Sequence, residues 1–197
     1  MNMTDIPGWF SGPCQTESIR LLHKYNHPDC IGVEVGCLHG RSSYAISVAI
    51  NKGKLYCIDL WDGRQTHDPG FSEDDVIKHN LPRSGMVNTI DVFLKNVATR
   101  KNIIPIHGGS PEIAQDWTMP IDFIFLDASH ENPNDRDNID FCLPKIKPGG
   151  MFLGHDWYAD RRLPTVNINV EYMEDLLNQK VTIIPQTSIW YFVLPEI

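Results

Sequence analysis

The stretch IGVEVGCLHGRSS, residues 31–43, decides how the rest of the chain is read. A short apolar run carries an acid, Glu34. Gly36 and Gly40 follow, and Arg41, Ser42 and Ser43 open a helix. A strand, a tight glycine turn and a helix N-terminus form a nucleotide-sized cradle. The glycines let backbone approach a ligand, and Glu34 can accept hydrogen bonds from it. A dinucleotide fingerprint needs G-x-G-x-x-G, whereas this chain has Glu34-x-Gly36-x-x-x-Gly40, a different turn. The same pattern also suits a purely structural strand-to-helix turn in an α/β protein.

Working outward, strand patterns alternate with helical ones. Strands are expected at 31–37, 54–61, 103–107, 121–127 and 150–157. Helices are expected at 16–25, 41–52, 89–100, 111–116, 136–145 and 170–178, and 181–185 with 189–194 reads as a closing antiparallel pair. The run IDFIFLD at 121–127 is almost continuously apolar, as a central parallel strand should be. The expected fold is therefore α/β: a doubly wound, mostly parallel, seven-stranded Rossmann-like sheet with an antiparallel strand at its C-terminal edge. Residues 62–88 break the rhythm. They are polar and hold Pro69, Gly70, Pro82 and Gly85, so they read as a lid insertion that selects substrate.

The totals set limits. A chain of 197 residues suits one domain, 1–197, with 1–30 as an N-terminal arm and helix. A net charge of −8 disfavours nucleic acid as the main partner. The five cysteines, odd in number and without C-x-x-C spacing, read as buried thiols in a reducing compartment. No basic leader and no apolar span of about 20 residues is present, which points to the cytoplasm and away from a membrane. A homo-oligomer is compatible with all of this.

In doubly wound sheets ligands bind beyond the carboxyl ends of the strands. Every expected strand end here is polar. Asp59 lies 23 residues after Gly36, where a carboxylate reaches both hydroxyls of a ribose; a helix cap or loop acid is the alternative. Ser110, after Gly108 and Gly109, suits an adenine edge with Trp61 or Ile113 packing near the ring. With Pro111 next, it equally suits a helix cap. Asp127-Ala128-Ser129-His130 and Gly154-His155-Asp156-Trp157 should converge above neighbouring strands. Two close carboxylates favour a shared proton or a cation. Oxygen donors suit Mg²⁺ or Ca²⁺, while an imidazole among them tilts toward a transition metal. A polar cluster without metal is the alternative. His130 can also take a proton near neutral pH. Neither a G-x-S-x-G elbow nor a Walker motif occurs.

Glu34-x-Gly36-x-x-x-Gly40, Asp59, Gly109-Ser110, Asp127 and Pro148-Gly149-Gly150, in that order, resemble the class I S-adenosylmethionine-dependent methyltransferases over about residues 30–160. The subgroup most similar is that of cephalosporin hydroxylase-like and macrolide-sugar O-methyltransferases. There a D-x-x-H sequence and a later acidic pair hold a divalent metal, with the histidine as base. Asp127 to His130 matches the first element. Asp156 matches the second, with His155 standing where an acid is often found. The resemblance implies that Glu34 and Gly36 lie by the methionine part of S-adenosylmethionine, that Asp59 holds the ribose and Ser110 the adenine region, with Gly40, Ser42, Trp61, Gly109 and Asp127 also at the cofactor, and that Asp127 and Asp156 face the substrate or metal. Asp127, Asp156 and His155 would hold Mg²⁺ or another divalent cation, and His130 with Asp127 would carry catalysis on a small hydroxylated acceptor, a sugar or natural product. A nicotinamide-dependent oxidoreductase and a catalytically silent cofactor-binding protein are the alternatives on a similar sheet.

Overall fold

The computed structural model describes residues 5–10, 12–62, 89–130 and 132–196. The expected lid, 62–88, falls almost entirely outside the described residues. In chain order the elements are α1 (Gly12–Leu22), β1 (Ile31–Val35), α2 (Arg41–Ala49), β2 (Lys54–Asp59), α3 (Ile90–Val97), β3 (Ile103–His107), α4 (Ser110–Asp116), β4 (Ile121–Leu126), α5 (Asn134–Cys142), β5 (Ile146–Gly154), α6 (Pro164–Leu177), β6 (Thr182–Ile183) and β7 (Trp190–Val193). Short 3-10 turns follow α1 and α5.

The seven strands form one sheet in the order β3-β2-β1-β4-β5-β7-β6. Strands β1 to β5 are mutually parallel, and β7 runs antiparallel to both β5 and β6. The expected fold class is met. The order reverses between β1 and β4, so the crevice above their carboxyl ends is the topological switch point where such sheets bind ligands.

Side-chain alternation along the strands builds two apolar layers. On one face Leu55, Cys57, Phe123, Phe125, Met151 and Leu153 pack with Leu22 of α1, Ile46 of α2 and Phe93 of α3. On the other, Val33, Val35, Ile58, Ile124 and Phe152 pack with Ile139 of α5 and Val170 and Met173 of α6. Because Val33 and Val35 face the second layer, Glu34 must face the first. Its register partners are Cys57 on β2 and Phe125 on β4. An acid thus stands inside an apolar layer beneath α2.

The starts of α1, β5 and α6 lie furthest ahead of what the sequence pattern indicates. Helices α1 and α6 begin at Gly12 and Pro164. In α6 the proline occupies the first turn, where a missing N–H costs nothing. Strand β5 begins at Ile146 and runs through Lys147-Pro148-Gly149-Gly150, which by itself reads as a turn. Pairing with β4 holds it, through a register shift opposite Ile121 and Phe123. Gly150 is needed there, since a Cβ would lie 2.5 Å from Ile146 Cγ2 and 2.8 Å from the Asp122 carbonyl oxygen.

Candidate active site

The turn between β1 and α2 is set by two left-handed glycines, Gly36 at φ +85° and Gly40 at φ +87°. A Cβ on Gly36 would lie 2.0 Å from the Asp127 carbonyl oxygen, so the turn passes directly over the end of β4. A Cβ on Gly40 would meet Val97 Cγ1 of α3 at 2.7 Å. Both glycines therefore have a packing requirement, apart from any ligand.

Asp59, at the carboxyl end of β2, clasps this turn. Its Oδ2 accepts hydrogen bonds from the Cys37 and Leu38 amides at 2.7 and 2.9 Å, and its Oδ1 from the Trp61 amide at 2.7 Å. Trp61 is only 2% exposed. Its indole N–H donates to the Leu38 carbonyl and its ring packs on Phe93. His39 is equally buried, and neither of its ring nitrogens has a hydrogen-bond partner among the described residues. Burial moves its pKa below the ordinary histidine value. A buried polar ring without partners on a glycine turn is unspent binding capacity.

Glu34 lies directly beneath α2 and is fully buried. Ser42 Oγ, in the first turn of α2, donates to Oε1 at 2.5 Å, and Cys57 Sγ donates to Oε2 at 3.4 Å. Burial raises its pKa from the ordinary 4.5 to about 7, against the opposing pull of those hydrogen bonds.

A second cluster stands beyond β4 and β5. His130 Nε2 lies 3.1 Å from Asp156 Oδ2 and 3.7 Å from Asp127 Oδ1, while its Nδ1 lies 3.9 Å from Asp135 Oδ2. His155 Nδ1 sits between the same two acids, 3.2 Å from Asp156 Oδ1 and 3.6 Å from Asp127 Oδ1. Tyr158 donates to Asp156 Oδ1 at 2.9 Å. His130 and Asp156 both hold positive φ, at +56° and +62°, a backbone conformation uncommon for non-glycine residues. Burial opposes charge on both histidines, but the surrounding carboxylates outweigh it: Asp156 most directly for His130, Asp127 and Asp156 for His155, so both pKa values rise. Despite burial, Asp156 is held well below the ordinary aspartate value by His155 and His130.

The chemistry of this donor set suits a divalent ion. One ligand atom each from Asp127, His130 and Asp156 falls within 4.8 Å of the others. Two carboxylates and an imidazole match an oxygen-rich site for a first-row metal or Mg²⁺. His155, 4% exposed, lies as close to the two carboxylates, with Nδ1 3.6 Å from Asp127 and 3.2 Å from Asp156.

Residues 33–157, more than half of the chain and spanning both clusters, match the family model described as "Methyltransferase domain". The chain belongs to this methyltransferase family. Solved structures agree on its fold. An O-methyltransferase from Bacillus cereus in complex with SAH is 15% identical, with 96% of this chain and 84% of that one covered at a TM-score of 0.60. A candidate caffeoyl-CoA O-methyltransferase from Staphylococcus aureus is 14% identical, with 95% and 84% covered at 0.61. A precorrin 8w decarboxylase from Methanobacterium thermoautotrophicum is 15% identical, with 96% and 94% covered at 0.61. At these identities the likeness concerns architecture, which hosts more than one reaction.

The methyltransferase is thus of the class I, S-adenosylmethionine-dependent type that its motif order resembles, and the nicotinamide alternative falls away. Its expected site residues separate into groups. Glu34, Gly36, Gly40, Ser42 and Asp59 meet at the β1–α2 turn, and Asp127, His130, His155 and Asp156 meet beside it. Trp61 lies in the core, with its ring between the turn and α3. Ser110 does not cap α4: Gly109 is the cap residue, in extended conformation, and the Ser110 hydroxyl donates to Asn138 Oδ1 of α5. Asp135 and Tyr158 went unnoticed in the sequence, since each sits in a polar loop or helix start without a motif. Their role follows only from contact with His130 and Asp156. No described helix is long and apolar enough to cross a membrane.

Proposed function

We propose that this methyltransferase moves the methyl group of S-adenosylmethionine to a hydroxyl oxygen of a small acceptor, a sugar or natural product. The observation that carries the reading is the Asp127–His130–His155–Asp156 cluster beside the glycine turn at the switch point. The residues suited to the cofactor are Glu34, Gly36, Gly40 and Ser42 for its methionine part, Asp59 for the ribose, and Gly109 with Ser110 for the adenine. Asp59 keeps lone-pair capacity beyond its three amide bonds, and His39 keeps both ring nitrogens.

When bound, the cofactor supplies a sulfonium methyl: the sulfur retains the bonding pair as the oxygen–carbon bond forms. What the protein adds is positioning and removal of the acceptor proton. His130 Nε2 takes that proton, Asp156 Oδ2 at 3.1 Å stabilises the imidazolium that forms, and Asp135 Oδ2 faces Nδ1 at 3.9 Å on the other side of the ring. A divalent cation held by Asp127 and Asp156 would lower the pKa of an acceptor hydroxyl. His130 then either completes the donor set or accepts the proton. The roles exclude each other because both use Nε2. The buried cysteines fit a reducing compartment, the cytoplasm.

The test is transfer of labelled methyl to a library of hydroxylated acceptors, with and without a chelator. His130→Ala and Asp127→Asn should each abolish transfer while leaving S-adenosylhomocysteine binding within a few-fold. Cofactor binding without transfer to any acceptor would support the silent-protein reading instead. Transfer that persists in both variants would refute the assigned roles.

A further inference from the structure

The apolar layer under α2 contains a polar group of which the methyl-transfer reading uses Glu34 and Ser42 but neither thiol. Cys37 Sγ, Cys57 Sγ and a Glu34 carboxylate oxygen all lie within 4.8 Å of one another, and all three residues are buried. Cys37 follows the first glycine of the turn. Cys57 is the register partner of Glu34 on β2. The Ser43 hydroxyl is fully buried and lies against Glu34 and Cys57, with an electrostatic effect on both. Four polar side chains thus converge from β1, β2, the turn and α2, with Ser42 Oγ holding the far carboxylate oxygen. Among the described residues no lysine or arginine pairs with Glu34. The other thiol-bearing group, His27, Cys30 and Asp122, differs in this respect, since Lys147 Nζ already neutralises Asp122 at 2.8 Å.

We propose that Glu34, Cys37 and Cys57 form a binding site for a thiophilic divalent ion of the Zn²⁺ or Cd²⁺ class, with the Ser43 hydroxyl as fourth donor.

The donor set and spacing support this. Two thiolates and a carboxylate select soft or borderline ions over Mg²⁺ and Ca²⁺. Tetrahedral zinc with bonds of about 2.3 Å to sulfur and about 2.1 Å to oxygen places sulfur and oxygen about 3.6 Å apart. Cys57 Sγ and Glu34 Oε2 stand at 3.4 Å. Binding releases both thiol protons to solvent as the metal–sulfur bonds form, and the Glu34 proton when it is present. The thiols are inert while the site is empty, because burial pushes the Cys57 pKa up to about 11 and that of Cys37 higher than its ordinary value. The ion replaces those protons by coordination and compensates a carboxylate that has no cationic partner among the described residues. The site is separate from the Asp127–His130–Asp156 cluster, which contains no sulfur.

The experiment is titration of the full-length protein with Cd²⁺ under reducing conditions, read by the ultraviolet thiolate-to-cadmium charge-transfer band. Cadmium at the oxygen and imidazole cluster gives no such band, so the two sites are distinguished. The expected result is a band saturating at one ion per chain, with release of at least two protons. It should be kept in a Cys14→Ser, Cys30→Ser, Cys142→Ser triple variant and lost in Cys57→Ala and in Cys37→Ala, each verified as folded by circular dichroism. Absence of the band in the unaltered protein, its loss in the triple variant, or its persistence in both single variants would overturn the proposal. The outcome is independent of whether methyl transfer is detected.

Discussion

Replacing Glu34 by glutamine should remove one specific pH dependence of stability. The side chain keeps its shape, and the charge is the only large change. In the folded protein burial raises the Glu34 pKa from 4.5 to about 7. A shift of that size corresponds to about 3 kcal/mol of differential stability. Its sign follows from proton binding. Between the unfolded value and the folded one, the native state holds a proton that the unfolded chain has lost. This contribution is fully present below the unfolded pKa and disappears as pH rises through the folded one. The unaltered protein should therefore lose about 3 kcal/mol from this group between roughly pH 4.5 and pH 7, whereas Glu34→Gln should not. Urea denaturation of both proteins without cofactor, from pH 5 to pH 8, measures the difference. A constant offset between the two curves reports how well the amide fits Ser42 and Cys57. The change of that offset with pH reports the charge. Parallel curves with unchanged m-values would refute the assignment of a buried, uncompensated carboxylate.

Other substitutions test the turn and its clasp. Gly36→Ala should cost more than about 3 kcal/mol, because its Cβ meets a backbone oxygen that cannot move independently of β4. Gly40→Ala should cost about 1–2 kcal/mol beyond the φ penalty, since the obstacle is the end of the Val97 side chain. Denaturation midpoints that rank these two the other way would contradict the packing account. Asp59→Asn replaces charge-assisted bonds to three amides and should cost about 2–3 kcal/mol. A loss of cofactor affinity without any loss of stability would show that the clasp is not structural. Trp61→Phe keeps most of the packing on Phe93 but gives up the bond to the Leu38 carbonyl. A loss of about 1 kcal/mol in equilibrium unfolding is expected, and a markedly larger one would indicate that the indole supports more than the turn.

Much of the fold could be read from local pattern. Apolar strands separated by helical periods specify a doubly wound sheet, and the rule that ligands bind at strand carboxyl ends picks out Glu34, Asp59, Asp127 and Asp156 without any tertiary information. Less could be read where the deciding partner is distant in sequence. The segment from Lys147 to Gly150 looks like a turn until β4 lies beside it. Ser110 looks like a cap until α5 presents Asn138. Asp135 and Tyr158 have no motif of their own, and only the approach of His130 and Asp156 gives them a role.

The sequence by itself determined the sheet, the order of its motifs and the methyltransferase family, because these depend on periodicity and on residues close in the chain. Only the tertiary structure decided how those residues are spent. Gly36 is required by the backbone of β4, Asp59 is engaged by three amides of the turn, and His130 and His155 both lie against Asp127 and Asp156. Each of these rests on a distance of a few ångströms between strands that the sheet order brings together. Such distances set whether a polar atom is satisfied, shared or left for a ligand, and a one-dimensional pattern does not contain them.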